Sequence, residues 1–151
     1  MDQQVVKVTE LNPFLEMEIH KLLELVGMSM PDLQKCELYV RLDTAGSVLG
    51  VACAGKFDKN CLLTLVAVDP EMQRHGIGSM LVNHVLSYCA GECDSVYLVT
   101  EEEEFFARFG FTLISLDRLP EEILRCAGSE GFFQPGVVAM QLVMPGNWSR
   151  G

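Results

Sequence analysis

The apolar positions of the chain recur with two periods, which predict an alternation of helices and strands. A first helix follows from apolar residues at helical spacing, namely Leu15, Ile19, Leu22, Leu23 and Val26. Asn12-Pro13 in front of this run is typical of a capped helix start, and Gly27 is typical of a helix end. Alternating apolar and polar residues over 37–43 predict a half-buried strand, with 48–54 as its hairpin partner.

The second half of the chain continues this alternation. Residues 61–68 are nearly all apolar, which predicts a strand covered on both faces and ending at Asp69-Pro70. A glycine-bearing loop follows, and apolar residues four apart then predict a helix over 76–90. We also expect strands at 4–9, 95–100, 111–116 and 137–144, short helices at 101–109 and 120–125, and a loop over 28–36. Together these elements indicate an α/β layer fold in a single domain, 1–151.

Composition narrows the class of protein. The chain has 151 residues, and its hydrophobic fraction of 49% is enough to build a buried core, which excludes a disordered chain. No apolar run approaches the roughly 18 residues that span a bilayer, and no basic segment precedes an apolar one at the start. We therefore expect a cytoplasmic protein without a membrane partner. The formal net charge of −10 argues against a nucleic-acid partner, but it permits a local anion site.

The six cysteines give no metal or disulfide signature. They are Cys36, Cys53, Cys61, Cys89, Cys93 and Cys126. None forms a C-x-x-C pair, and no histidine stands at zinc-finger spacing, so the sequence predicts no metal site. In a reducing compartment these residues are expected to act as small buried hydrophobes.

The segment 66–81 carries the candidate chemistry. A buried strand runs into a loop with Gly76 and Gly78, and the loop opens a helix. The free N–H groups of a helix start converge on one spot, where the helix dipole favours negative charge. Arg74 and His75 add positive charge. The pattern predicts a cradle for a diphosphate. Neither the dinucleotide fingerprint nor the P-loop matches, since the third glycine and the lysine are absent.

The stretch Gln73-Arg74-His75-Gly76-Ile77-Gly78 resembles the Q/R-x-x-G-x-G/A signature of the GNAT superfamily of N-acetyltransferases. Phe106–Phe111 is similar to the Y-x-x-x-G-F of the same family, and the predicted order of elements also fits it. The resemblance implies a mixed, mostly antiparallel, twisted sheet of about seven strands flanked by helices. It also implies a V-shaped split between strands 4 and 5.

A narrower resemblance concerns the segment from Tyr97 to Phe111, which looks like a subgroup associated with arsenic-resistance operons and similar to N-acetylglutamate synthases. The chain departs from this subgroup at Thr64 and Leu65, where an Arg-Ser pair usually stands on the central strand. It also has Gln134-Pro135 in place of a Cys-Pro.

The resemblance implies acetyl-CoA as cosubstrate and assigns residues to it. The pantetheine arm would pair with strand 4, and the diphosphate would lie on the amides of the loop. The cofactor-binding set is then Val66, Ala67, Val68, Gln73, Arg74, His75, Gly76, Ile77, Gly78, Ser79 and Phe106. The tyrosine that usually protonates the departing thiolate is replaced by Phe106. Thr100 is a candidate donor, with capping of the next helix as the alternative role.

Taken with the residues, the resemblance predicts an N-acetyltransferase that acts on a primary amine of a small molecule, such as an amino acid or analogue. A non-catalytic acetyl-CoA-binding module stays open because of the missing tyrosine at Phe106. An acetyltransferase of proteins or peptides also stays open, since an acidic surface suits a basic peptide. A homodimer is compatible with such a domain.

Overall fold

The structure of the protein is a computed structural model that describes residues 5–28, 36–125 and 135–144. Within these ranges the strands are β1 Val5–Val8, β2 Glu37–Leu42, β3 Val48–Phe57, β4 Asn60–Val68, β5 Ser95–Thr100, β6 Thr112–Ile114 and β7 Val138–Val143. The helices are α1 Pro13–Val26, α2 Ile77–Cys89, α3 Glu103–Ala107 and α4 Glu121–Leu124, with 3-10 turns at Pro70–Met72 and Leu116–Arg118.

The strands form one seven-stranded sheet in the order β1-β2-β3-β4-β5-β7-β6. β4 and β5 pair in parallel, whereas β1 with β2, β2 with β3, β5 with β7 and β6 with β7 pair antiparallel. The predicted mixed, mostly antiparallel sheet flanked by helices is confirmed. The chain divides into two compact units: a first unit of Met1–Ala54 with Leu65–Tyr88, and a second unit of Gly55–Thr64 with Cys89–Gly151. The single domain expected from the sequence stays a prediction.

Helix α1 begins and ends where the sequence predicts. The Asn12 side chain accepts a hydrogen bond from the Leu15 N–H at 2.8 Å, which satisfies one of the free donors of the first turn. Gly27 ends the helix in the left-handed conformation, with φ at 77°. The buried face of α1 packs on the apolar side of β2 and β3 and forms the core of the first unit.

The opposite face of β2 is more covered than its alternating pattern predicts. Tyr39, expected on a solvated face, is only 1% exposed. Its ring lies edge-on to those of His84 and Tyr88 in α2, at centroid distances of 5.2 and 5.6 Å. The prediction of a half-buried strand is therefore wrong at this position, because α2 packs on a face that the strand's own sequence marks as polar.

A glycine in β3 allows α2 to approach the sheet. A Cβ built on Gly50 would lie 2.8 Å from Cγ2 of Ile77, 3.0 Å from Cδ1 of Leu81 and 3.2 Å from the carbonyl oxygen of Ala67. The contact of 2.8 Å is shorter than real Cβ atoms show and the other two are tight, so a side chain at this position would force α2 side chains or the strand to shift. Ile77, Leu81, Val85 and Cys89 are all buried, which confirms the predicted apolar face of this helix.

The second unit has its own core and one polar cross-strand group. The core consists of Leu62, Tyr97, Leu119, Ile123 and Ala139. Between β5 and β7, the side-chain amide of Gln141 donates to the Ser95 hydroxyl at 2.9 Å and to the Tyr97 hydroxyl at 3.2 Å. These bonds tie β5 to β7 where the ladder pairs Tyr97 with Gln141.

Three predicted elements of the second unit are shorter than expected. The helix predicted over 101–109 covers only Glu103–Ala107, because 3-10-type bonds from Phe109 to Phe106 and from Gly110 to Ala107 close its end. The strand predicted over 111–116 ends at Ile114, where the chain turns into the 3-10 turn Leu116–Arg118. The helix predicted over 120–125 covers Glu121–Leu124.

Strand β4 departs from the expected coverage in its second half. Thr64 is exposed and Val66 and Val68 are half-buried, whereas the prediction placed both faces of the strand in the core. The parallel ladder with β5 consists of three pairs, Asn60–Ser95, Cys61–Val96 and Leu62–Tyr97, although β4 continues to Val68 and β5 to Thr100. A ladder this short is consistent with the predicted split between strands 4 and 5.

None of the described cysteines is in a disulfide, and four of them are buried, as predicted: Cys53, Cys61, Cys89 and Cys93. Cys36 is half-buried. Cys126, Gln134 and most of the predicted 28–36 loop lie outside the described residues. In the described part of the chain, none of the helices has the length and apolar character needed to cross a membrane.

Gly50→Ala is expected to lower the free energy of unfolding by about 1–3 kcal/mol, the usual cost of overpacking a core. The added methyl group would push against Ile77 and Leu81. Urea denaturation followed by circular dichroism measures the loss. Thr44→Ala, in an exposed turn, is the control and should leave stability unchanged. A stability equal to that of the wild type would show that α2 does not depend on the close approach at Gly50.

Candidate functional site

The loop that leaves β4 is fixed at its first residue. The Asp69 N–H donates to the carbonyl of Leu49 at 2.9 Å, which holds the strand end against β3. The Asp69 carboxylate accepts a bond from the Glu71 N–H at 2.9 Å, and the 3-10 turn Pro70–Met72 follows. Asp69 therefore acts as the cap of this turn, which is the structural role that a D-P strand end suggests.

The next residues adopt backbone conformations that bend the chain sharply. Arg74 has φ at 73° and Gly76 has φ at 78°, both in the left-handed region. Glycine accepts this conformation freely, but an arginine there is strained. Among the described residues, Asp58 is the other non-glycine with positive φ. Gln73, Arg74, His75 and Gly76 are all exposed. A strained, exposed residue in a loop before a helix is a feature that functional sites often carry.

Helix α2 starts with its amides directed at this loop. The Gly76 carbonyl accepts the first intrahelical bond, from the Met80 N–H at 3.0 Å. The N–H groups of the first turn have no partner inside the helix, and the dipole places partial positive charge there. Ile77 is buried and anchors the turn, whereas Gly78 and Ser79 are half-buried. The loop therefore leads directly into a helix start with free amides, and the cradle for a diphosphate stays a prediction.

Basic residues stand in the loop and beside α2, and one of them was not predicted. Arg74 and His75 project from the exposed loop. In addition, Nη1 of Arg41 lies 2.9 Å from the Sδ of Met80, which belongs to the second turn of α2. Arg41 stands opposite Gly50 in the β2–β3 ladder, so the close packing of α2 brings the helix to it. The sequence gives no signal for this contact, because it depends on which strand neighbours β3.

The predicted residues fall into two sets. In the first unit, Val66, Ala67 and Val68 lead along β4 into the loop, and 73–79 form one continuous turn and helix start. Ala67 is buried.

Thr100 and Phe106 belong to the second unit. The Thr100 hydroxyl oxygen accepts a bond from the Glu102 N–H at 2.9 Å, which forms a turn before α3, whereas the N-cap of α3 is Glu102 and has no side-chain cap bond. Phe106 is 7% exposed and packs edge-on against Phe105 and Phe111, at centroid distances of 4.8 and 5.9 Å. The catalytic role of Thr100 and the cofactor role of Phe106 stay predictions.

One histidine near this region has a shifted pKa. Partial burial beside Tyr39 lowers the pKa of His84, because a less hydrated site disfavours the charged imidazolium, although the residue as a whole is exposed. Its ring contacts Tyr39, as described above. This packing explains His84 without a role in chemistry.

Comparison with known proteins gives one curated relative, the amino-acid acetyltransferase of Mycobacterium tuberculosis (strain ATCC 25618 / H37Rv). The two chains are 48% identical over 50 residues, which is 32% of this chain and 29% of the relative. The match thus spans less than a third of the curated relative's length.

Solved structures share the fold over nearly the whole chain. N-acetylglutamate synthase from Neisseria gonorrhoeae, complexed with coenzyme A and N-acetyl-glutamate, is 19% identical with a TM-score of 0.74, over 96% of this chain and 36% of that one. A Mycobacterium tuberculosis protein solved with CoA is 25% identical with a TM-score of 0.65, over 92% of this chain and 86% of that one.

A family model gives the assignment. The acetyltransferase (GNAT) domain matches residues 34–113, which contain β2 to β5, the first two residues of β6, and the whole of the loop and helix described above. This match extends over more than half of the 151 residues. The chain therefore belongs to the GNAT acetyltransferase domain family.

Proposed function

We propose that this protein is an N-acetyltransferase that transfers an acetyl group from acetyl-CoA to the primary amine of a small molecule, such as an amino acid or a close analogue. One observation carries the proposal. In a chain with a formal charge of −10, the turn from Gln73 to Ser79 presents helix amides and two left-handed residues to one exposed spot. Such a spot suits a diphosphate and is hard to explain in a protein that binds no anion.

The diphosphate of acetyl-CoA would be held mainly by the backbone. The amides of Gly76, Ile77, Gly78 and Ser79 lie at the positive end of the α2 dipole, and glycine at two of these positions permits close approach. Arg74 and His75 add side-chain donors from the exposed loop. The half-buried backbone of Val66 and Val68, with Ala67 between them, would pair with the pantetheine arm as an added strand does.

Transfer requires few protein groups. The amine nitrogen attacks the thioester carbonyl carbon, the carbon–sulfur bond breaks, and the amine loses a proton to water or a carboxylate. A backbone N–H of β4 would stabilise the negative charge that develops on the carbonyl oxygen. Phe106 stands at the tyrosine position of the family motif and has no proton to give. The thiolate would therefore leave unassisted, or with Thr100 as donor.

The names of the curated relative and of one similar structure favour an amino acid as the acceptor. The curated relative is an amino-acid acetyltransferase, and one similar structure contains N-acetyl-glutamate. Thr64 and Leu65 replace the usual Arg-Ser pair of the resembling subgroup. Threonine and leucine carry no charge, so this pair offers no positive charge to an acceptor carboxylate. Thr64 is exposed and Leu65 is buried. We therefore include amines without a carboxylate among the candidate acceptors.

The test is a continuous assay of coenzyme A release with acetyl-CoA and a panel of acceptors. The panel contains the standard amino acids, their decarboxylated amines, polyamines and one lysine-rich peptide. Turnover on a small amine supports the proposal. Turnover on the peptide alone supports a protein acetyltransferase. Tight acetyl-CoA binding by calorimetry, with no turnover on any acceptor, supports a non-catalytic binding module.

Gly78→Val is expected to abolish acetyl-CoA binding while the chain still folds, because a branched side chain would occupy the diphosphate position. Isothermal titration calorimetry measures the affinity, and circular dichroism checks the fold. Asn83→Val places the same residue on an exposed position of α2 and controls for the lower helix propensity of valine. A folded Gly78→Val variant that binds acetyl-CoA with wild-type affinity would contradict the assignment of the diphosphate to this loop.

Arg74→Gly is expected to weaken acetyl-CoA binding about two- to fivefold, the range of an exposed ion pair, without loss of stability. Relief of the left-handed backbone offsets the greater chain entropy of glycine. Asp58→Gly is the matched control, since it relieves the same backbone conformation in the β3–β4 turn. It should leave the affinity unchanged. Equal loss of affinity in both variants would contradict a role for the Arg74 side chain.

The pH dependence of turnover tests the departure of the thiolate. With Phe106 in place of a phenol, the rate should rise with pH as the acceptor amine deprotonates, with no falling limb from an enzyme acid. Phe106→Tyr should leave the rate similar, or raise it where thiolate departure limits turnover. A bell-shaped wild-type profile whose basic limb disappears in Thr100→Val would instead identify an enzyme acid that includes Thr100.

A further inference from the structure

Helix α1 has apolar side chains on two faces, of which one packs on the sheet. Ile19, Leu22 and Leu23 are buried in the core of the first unit. A second set of residues is exposed and recurs at intervals of three, four, four and three positions: Phe14, Met17, Lys21, Leu25 and Met28. Intervals of three and four place side chains on one side of a helix, so we call this set the outer face of α1.

The outer face is rich in apolar side chains for a solvated surface. The exposed fraction of its four apolar residues ranges from 43% at Met28 to 63% at Leu25. Eight large apolar side chains are exposed among the described residues, and these four are half of them. Met28 follows the helix end, where its N–H donates to the Leu23 carbonyl at 2.8 Å and holds the chain in place. Exposed apolar side chains that gather on one element mark a surface that a partner covers.

The arrangement of the outer face is the same in both directions along the helix. Lys21 stands in the middle, and Met17 and Leu25 are each four positions from it. Phe14 and Met28 are each seven positions from it. A second α1 that lies antiparallel on this face would therefore bring Met17 of each copy against Leu25 of the other, and the two ends would meet in the same way. A two-fold contact requires a surface that is complementary to itself, and this spacing meets the requirement.

The charges on this side of α1 also suit a second copy. Nζ of Lys21 lies 3.4 Å from Oε2 of Glu18, so the charge in the middle of the outer face has a counter-charge in its own chain. In an antiparallel pair, Lys21 of one copy would lie about 4.5 Å along the helix axis from the exposed Glu24 of the other. A basic partner would instead meet Lys21 at the centre of the apolar surface. The charges therefore favour a second copy over a basic partner.

We propose that the outer face of α1 binds a second copy of this chain, with the two helices antiparallel and the two-fold axis at Lys21. The contact depends on α1 and not on the proposed transfer of an acetyl group. It buries on the order of a few hundred Å² per copy, less than the roughly 800 Å² of a standard interface, so the dimer is weak and depends on protein concentration. Each copy has a formal charge of −10, so screening of their repulsion by salt strengthens the dimer.

Sedimentation velocity of the full chain, from about 1 μM to about 1 mM, covers the range expected for a small contact. We expect a monomer–dimer equilibrium that shifts toward the dimer as sodium chloride is added. Leu25→Glu should raise the dissociation constant about tenfold or more, because each copy loses a buried leucine. Leu113→Glu is the matched control, because Leu113 is an exposed leucine of β6 in the second unit, and it should leave the constant unchanged.

Circular dichroism checks that both variants fold. A wild-type chain that stays monomeric at the highest concentration would overturn the proposal and leave a partner of different chemistry for this face. A dimer that salt dissociates, or one that the two variants affect equally, would overturn it as well.

Oxidative cross-linking tests the direction of the two helices. With the two-fold axis at position 21, the new thiols of Lys21→Cys meet across the axis and should form a disulfide between copies. In Met17→Cys the new thiols would lie about 12 Å apart along the axis, too far for a disulfide. The wild-type chain under the same oxidation is the control for the native cysteines. Cross-linking of both variants would show a parallel pair, and the absence of a cross-link in Lys21→Cys would place the contact elsewhere, so either result would contradict the proposal.

Discussion

The approach of helix α2 to strand β3 at Gly50 fixes the geometry on which the candidate site depends. With no side chain at this position, Ile77 and Leu81 come against the strand backbone, and the first turn of the helix is held where β4 ends. The Asp69 N–H bond to Leu49 holds the other end of the same loop on the same strand. The residues between these two anchors are therefore confined, and Arg74 keeps a left-handed conformation that an unconfined arginine would leave.

Charge explains why a backbone site suits this protein. Acidic residues outnumber basic ones, 21 to 11, so long-range electrostatics oppose the approach of an anionic ligand. Helix amides act over short distances and are fixed before the ligand arrives, so they need no positive surface around them. The few cations near the start of α2, among them Arg74 and Arg41, add local charge without changing the acidic character of the chain.

The second unit combines an apolar core with a hydrogen-bonded polar group on the sheet. The amide of Gln141 satisfies the hydroxyls of Ser95 and Tyr97 inside the sheet, so the polar atoms there have partners.

Local sequence determined most of the elements of this fold. Helix α1 has the bounds that Asn12, Pro13 and Gly27 predict, and β5 has the predicted bounds, because caps and alternation act over a few residues. The glycines after a buried strand likewise predicted a loop that opens into α2, and the binding of an anion there stays a prediction. Tertiary structure decided the burial and the side-chain contacts of residues whose neighbours are distant in sequence. Tyr39 is buried because α2 covers the face of β2 on which the polar residues of the alternating pattern lie. Arg41 reaches Met80 because β2 lies beside β3.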